Sequence, residues 1–246
     1  EKVMIRSGRS KFTLTTLPAA EFPTIEDINA EETLELPQST VQRLLEKTHF
    51  SMAQQDVRYY LNGLLLETGG DQLRAVATDG HRLARCEMDA PNGAEQMPGI
   101  IIPRKTVGEL QKLVDDPDLS VTVELSDSKI RFTIGAVVLT SKLIDGTFPD
   151  YQRVIPTGND KDMLVDRQSF AAAVDRVSTV SSERGRAVKI ALSEGQMTLT
   201  VNNPDSGSAT DELAVDYSAD PMEIGFNARY LLDITNQITG SEGKFT

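Results

Sequence analysis

The chain repeats itself. Lys2-Val3 and Gly8 recur as Lys129-Ile130 and Gly135 at a spacing of 127, while Leu17, Phe22 and Pro23 recur as Leu143, Phe148 and Pro149 at 126. One deleted residue separates the two registers. The apolar positions after Pro37 (Val41, Leu44, Leu45) return as Phe170, Ala173, Val174 and Val177. Ile102-Pro103 returns as Phe226-Asn227, followed by Leu231 and Ile234. Four blocks in one order over a fixed long period mean repeated units, each with its own core, rather than one large sheet. The chain then holds the tail of one unit (residues 1–25), a complete unit (30–150) and a third (155–246) that stops before its own Phe-Pro ending. Its opening at Glu1 instead of methionine fits a fragment of a longer protein.

Within a unit the periodicity changes from two to 3.6 and back. Val3 and Ile5, then Phe12 and Leu14, alternate around Ser7-Gly8-Arg9-Ser10 and predict a strand pair over Glu1 to Pro23. A short strand from Leu34 leads through Pro37 into an amphipathic helix carrying Val41, Leu44 and Leu45 on one side and Arg43, Glu46 and Lys47 on the other. Strands are expected near Arg58–Leu66, Gln72–Thr78 and Arg82–Met88, with a loop over Ala90–Pro98. Ile100-Ile101-Ile102 runs into Pro103 and a second helix (Val107, Leu110, Leu113, Val114) ending at Asp115-Asp116-Pro117. Strands follow at Ser120–Leu125, Lys129–Ile134 and Val137–Leu143. Two helices and roughly eight strands per unit predict an α+β fold with a helical layer on antiparallel sheet.

The net charge of −12 excludes a protein that coats nucleic acid or anionic membrane with its whole surface. The helices differ from the rest. Arg43, Lys47, Arg104, Lys105, Lys112, Arg167, Arg176 and Arg229 outnumber Glu46, Glu109, Asp166, Asp175 and Asp233 there, giving +3 against −15 elsewhere. A single cysteine, Cys86, cannot form an internal disulfide and suits a reducing cytoplasm. No apolar run approaches the ~20 residues of a membrane span.

Catalytic constellations are scarce. The two histidines, His49 and His81, lie in no zinc or hydrolase motif, and no Gly-x-Ser-x-Gly elbow is present. Gly240-Ser241-Glu242-Gly243-Lys244 fails as a phosphate loop, since Ile238 replaces its first glycine and Phe245 its serine or threonine. Asp115-Asp116-Pro117-Asp118 reads as a solvated turn, and no metal or cofactor is expected. Asp79-Gly80 favours a tight turn with positive φ between two strands, and His81 and Arg82 after it are donors that a turn alone does not require. Asp79 and His81 could serve a hydrolase as acid and base, form a binding surface, or simply make the turn. Tyr59 and Tyr60 are expected on opposite faces of a strand, one of them free to stack.

Together, Ile5–Ser10, Gln55–Gly63, Val76–Ala84, Phe148-Pro149-Asp150-Tyr151 and Gly225-Phe226-Asn227 closely resemble the bacterial sliding clamp family, the beta subunits of DNA polymerase III. The resemblance spans nearly the whole chain. It implies three similar domains per subunit and a head-to-tail homodimeric ring around duplex DNA, with helices lining the hole and an acidic exterior. A protein of this kind is a non-catalytic, cytoplasmic processivity factor that binds DNA without sequence preference. Polymerase, clamp loader and repair proteins would dock through short linear motifs in a cleft between the second and third domains. The family motifs place Arg58, Tyr60, Leu61, Thr78, Gly80, His81, Arg82, Leu83, Pro149, Arg153, Val154, Asn227 and Tyr230 in that cleft. Leu61, Leu83, Pro149 and Val154 would form its apolar floor; Arg58, His81, Arg82 and Asn227 would hold the peptide. Gln55, Tyr59, Arg104 and Lys105 would face DNA. A hydrolase using Asp79 and His81, or an interaction scaffold without a DNA role, is the alternative.

Overall fold

The computed structural model describes residues 1–22, 27–94, 97–182 and 185–246. Strands β1 (Lys2–Ser7) and β2 (Ser10–Thr15) form an isolated antiparallel pair whose residues are all exposed. Pro23, part of the repeat, and Glu95 and Gln96 of the expected loop lie outside the described residues.

Next comes β3 (Glu32–Pro37), running directly into α1 (Gln38–Glu46). Strands β4 (Gly63–Gly69), β5 (Gln72–Thr78), β6 (Leu83–Asp89) and β7 (Ile100–Pro103) make an antiparallel sheet in the order β6-β5-β4-β7, and β7 feeds α2 (Arg104–Leu110). Strands β8 (Ser120–Leu125), β9 (Lys129–Ile134) and β10 (Val137–Lys142) join β3 in a second sheet, β10-β9-β8-β3. The pattern then recurs. β11 (Met163–Asp166) enters α3 (Arg167–Ser178), and β12 (Ala187–Ser193), β13 (Gln196–Asn203), β14 (Gly207–Ala214) and β15 (Met222–Asn227) build a sheet of order β14-β13-β12-β15. β15 enters α4 (Ala228–Thr235), and β16 (Glu242–Phe245) pairs β11 as β8 pairs β3. The repeat is therefore one of topology, and the α+β class holds.

Helix spacing explains the cores. Val41, Leu44 and Leu45 on α1 and Val107 and Leu110 on α2 pack with Leu34, Leu36, Leu64, Leu66 and Phe132. Phe170, Ala173, Val174 and Val177 fall at i, i+3, i+4 and i+7 on α3 and meet Ile190, Leu199 and Leu231 in a separate core. Pro37 and Pro103 fix φ at the starts of α1 and α2, whereas the side chains of Asp166 and Asn227 accept from Ser169 N and Arg229 N at the starts of α3 and α4.

The sheet β6-β5-β4-β7 is apolar on both faces. Leu64, Leu66, Leu73 and Ala75 turn toward the helices, while Leu65, Val76 and Ile101 turn away and are covered by Tyr151, with Tyr60, Leu83 and Phe148 packed around them. The uninterrupted run Leu64-Leu65-Leu66 is the sequence trace of this double burial. At Gly63 an added Cβ would lie 2.7 Å from both Ile101 Cγ2 and Ile102 O, so only glycine lets β4 and β7 approach.

Three expectations need correction. Tyr59-Tyr60-Leu61 form a 3₁₀ turn rather than the start of a strand, because Asn62 exchanges hydrogen bonds with the backbone of Asp56 (2.9 Å each) and closes the loop before β4 begins. The two tyrosine rings consequently meet edge to face at 5.8 Å instead of pointing to opposite faces. The second helix ends at Leu110; Lys112 and Leu113 follow with tighter i→i−3 bonds, and Val114 N closes back on Leu110 O. Phe170 is 1% exposed and fills the centre of the second core; Phe170→Ala should cost about 3–5 kcal/mol, read as a lowered urea midpoint.

Candidate partner cleft and DNA-facing site

Thr78 to Leu83 connects β5 to β6 as a loop braced by its own side chains. Asp79 Oδ1 accepts from His81 N (2.9 Å) and Arg82 N (3.0 Å), and Thr78 Oγ1 accepts from Gly80 N (3.0 Å) and donates to Arg82 O (2.7 Å). Gly80 has φ +86, which a side chain would strain. The positive φ expected of Asp79-Gly80 falls on glycine alone. Asp79 Oδ2 takes Arg82 Nε at 3.1 Å, so the carboxylate is committed to the turn and cannot pair with His81 as a catalytic dyad.

Arg82 is the residue whose placement differs most from expectation. Its Nη1 donates to Asp233 Oδ2 (2.5 Å), its Nη2 to Phe50 O (2.7 Å), and its guanidinium lies 4.4 Å from the Tyr230 ring centroid and 5.4 Å from that of Phe50. With its side chain 13% exposed and each guanidinium nitrogen making one hydrogen bond, Arg82 fastens the loop to α4 and keeps two of its five N–H groups uncommitted. Lys47 Nζ donates to Gln237 O on the same side of α4, a second tie between the units. Neither Asp233 nor Phe50 belongs to the cleft residues expected from the family motifs. Tyr230 and Asp233 fall at i and i+3 on one face of α4, which was the available signal.

The remaining cleft residues divide. Arg58 chelates Asp56 through Nε (3.0 Å) and Nη2 (2.8 Å) and reaches Asp79 O at 3.4 Å, which brings it against the Gly80 turn. That pairing holds the Asp56 carboxyl at about 2, below the usual 3.8. Tyr60 and Leu83 border one apolar cluster with Phe148 and Ile155. Leu61 is 1% exposed and so offers no surface of its own for the expected apolar floor. Pro149 and Val154 are exposed, Val154 at 68%; exposed Arg153 pairs with Asp150 at 2.9 Å. His81 is exposed, and Asn227 caps α4, where Tyr230 sits. Tyr151 donates to Glu67 (2.6 Å) behind this surface, and burial and that bond push its hydroxyl up.

Gln55, Arg104 and Lys105 line an open cavity of about 540 Å³, and Arg104 also borders the space beside Arg82 and Asp233. Gln55 holds φ +57, uncommon for a non-glycine residue, imposed by the Asp56–Asn62 closure. Arg104 Nη1 donates to Met52 O at 2.9 Å, and Tyr59 is 57% exposed beside the same loop. The other sequence candidates recede. Asp116 Oδ1 accepts from Asp118 N, closing a turn, and Gly243-Lys244 lies in β16 with Lys244 paired to Asp162 at 2.8 Å. No helix among the described residues is long and apolar enough to cross a membrane.

Residues 35–150 match the model of the DNA polymerase III beta subunit central domain, and residues 152–246 that of its C-terminal domain. The chain belongs to the DNA polymerase III beta subunit family. It is 48% identical to the beta sliding clamp of Caulobacter vibrioides over 99% of its length and 67% of the relative's. It is also 48% identical to that of Escherichia coli, over 97% and 65%. The sliding clamp of Bartonella birtlesii bound to griselimycin superposes with a TM-score of 0.93 at 53% identity, covering 99% of this chain and 67% of that one. The clamp of Pseudomonas aeruginosa gives 0.90 at 45%, with 99% and 67% covered. The chain thus spans about two thirds of the length of these relatives.

Arg82→Ala should lower stability by about 2–4 kcal/mol in urea unfolding, because Asp233 and Asp79 lose their cation. Arg82→Lys should recover only part of this, since an ammonium cannot serve three acceptors and two rings at once. The Asp56 carboxyl, followed by NMR, should titrate near 2 and return toward 3.8 in Arg58→Ala. As its folded value is depressed, its contribution to stability is complete above 3.8 and is lost as pH falls through about 2.

Proposed function

We propose that this chain is the central and C-terminal part of a DNA polymerase processivity factor. In the full-length protein two subunits close head to tail around duplex DNA, and residues 1–25, 30–150 and 155–246 belong to the first, second and third clamp domains. Retention on DNA is topological, so affinity for phosphates can remain weak, sequence-independent and compatible with sliding. The protein catalyses nothing. DNA polymerase, clamp loader and repair proteins take turns at one peptide-binding cleft.

The observation that carries this reading is the junction between the Thr78–Leu83 loop and α4. Two separately cored units meet there through Arg82, Tyr230 and Asp233. Beside the junction, Tyr60 and Leu83 offer an apolar patch, and Arg58, His81 and Asn227 offer polar groups near it. An apolar surface with a few polar groups suits a short extended peptide. In this reading Leu83, Tyr60, Pro149 and Val154 take the peptide's apolar side chains, His81 and Arg153 meet its backbone or charge, and Leu61, Thr78, Gly80, Arg82 and Tyr230 shape the wall. Gln55, Tyr59, Arg104 and Lys105 face the duplex.

A labelled peptide bearing a polymerase clamp-binding motif should bind the chain, and Leu83→Ala should weaken it about tenfold. Arg104→Ala with Lys105→Ala should spare that affinity and, in the full-length protein, weaken sliding on primed DNA. Equal loss of both activities in either variant contradicts the division of sites.

A further inference from the structure

We propose that Arg229 is a phosphate-contacting residue of the third unit, reaching the DNA backbone together with Arg104 across the cavity between the two units. The inference rests on the sliding-clamp reading above and adds a residue that neither the sequence motifs nor the cleft accounts for.

Internal symmetry is the first argument. Ile102-Pro103 corresponds to Phe226-Asn227, a spacing of 124, which makes Arg229 the counterpart of Lys105. The fold agrees. β7 and β15 are each the last strand of a four-stranded sheet, each runs without a break into a helix, and Lys105 and Arg229 are each the second residue of that helix. Both side chains are exposed. If α2 presents its opening cation to the duplex, the same construction in the next unit presents Arg229.

Charge accounting in the cavity is the second. A polar space of about 400 Å³ lies where the units meet, bordered by Arg82, Arg104, Arg229, Asp79 and Asp233 among others. Both carboxylates are bound to Arg82. Arg104 spends only Nη1, on Met52 O, and the Arg229 side chain makes no hydrogen bond or ion pair with any described residue. Arg82 and its two aspartates sum to −1, so with Arg104 and Arg229 the space carries a net charge of about +1, and two guanidinium groups from different units border it with donors to spare and no direct carboxylate contact. A phosphodiester oxygen is the ligand that suits them: anionic, well matched to a guanidinium fork, and abundant on a duplex passing the helix ends.

The test measures binding of a labelled duplex of about 20 base pairs to the 246-residue chain at about 50 to 200 mM salt, alongside the labelled clamp-binding peptide. Arg229→Ala should weaken duplex binding and lower the slope of log K against log salt by about 0.9, an approximately 3.5-fold smaller loss across that range, with peptide affinity unchanged. Arg229→Lys should retain the slope, and Arg104→Ala with Arg229→Ala should lower it by about 1.8. The proposal is overturned by an unaltered slope in Arg229→Ala, or by an equal drop in Lys161→Ala, which removes a cation bordering a different cavity. Peptide affinity falling in step would make Arg229 part of the cleft instead. Competition by inorganic phosphate beyond its ionic strength, abolished in Arg229→Ala, would mark a small-anion site and also overturn it. A wild-type chain that binds peptide but no duplex, or one that binds both equally well without Arg229, defeats this inference alone; loss of sliding on primed DNA by the full-length wild-type protein is what would defeat the DNA reading itself.

Discussion

The arrangement of the two cored units turns on a cation held between them. Arg82 leaves β6's loop and is bound by Asp79 from its own turn, by Asp233 from α4 and by the Phe50 carbonyl, with aromatic rings of Phe50 and Tyr230 alongside. Hydrogen bonds to a charged group are worth roughly 1.5–3 kcal/mol each and a shielded cation–π contact about 2. These gains offset the desolvation of a guanidinium that is largely removed from water. The geometry also ties the loop to the angle between units: moving α4 away would leave Asp233 without its cation and Arg82 held only by Asp79 and the Phe50 carbonyl.

The order of elements could be read from the sequence because it follows from local periodicity and is written twice. Helix faces such as Phe170–Val177 and the alternation in β8 and β9 depend on neighbours within a few residues, so they survive without tertiary information. The error at Tyr59-Tyr60 arose where the pattern was overruled by a side chain: Asn62 closes on Asp56 and forces a 3₁₀ turn into what alternation reads as strand. Motif resemblance speaks of where residues such as Arg82 lie and not of what they are bound to. Arg82 and Asp233 are 151 residues apart, and no local rule predicts that one would consume the other's charge. Burial of Leu61 was similarly hidden, since whether a leucine lines a groove or supports it depends on what lies above.

The same pairing bears on electrostatics. A surplus of three cations on the helices is modest by count, and count is the wrong measure. Charges already paired contribute little to the surrounding field, while unpaired ones act on groups within roughly a Debye length, about 10 Å at 0.1 M salt. Arg176 is matched by Asp211 and Lys112 by Glu109, and Arg82 by two aspartates. Arg104, Lys105 and Arg229 have no carboxylate partner among the described residues, and all three sit in the first turn of the helix that follows a sheet's last strand.

That position has a physical logic for a protein that must hold DNA loosely. A cation at a helix start opposes the positive end of the macrodipole and costs the helix a few tenths of a kcal/mol or more. It is a poor choice for stability and a good one for reaching a phosphate, because the side chain projects past the helix end instead of lying along its flank. Repeating such cations at the corresponding helix start of each unit, two on α2 and one on α4, spreads contacts over more than one unit instead of confining them to one. Each contact then exchanges readily for the next as the backbone passes, and a weak, salt-sensitive attraction distributed by internal symmetry gives a surface along which DNA can move.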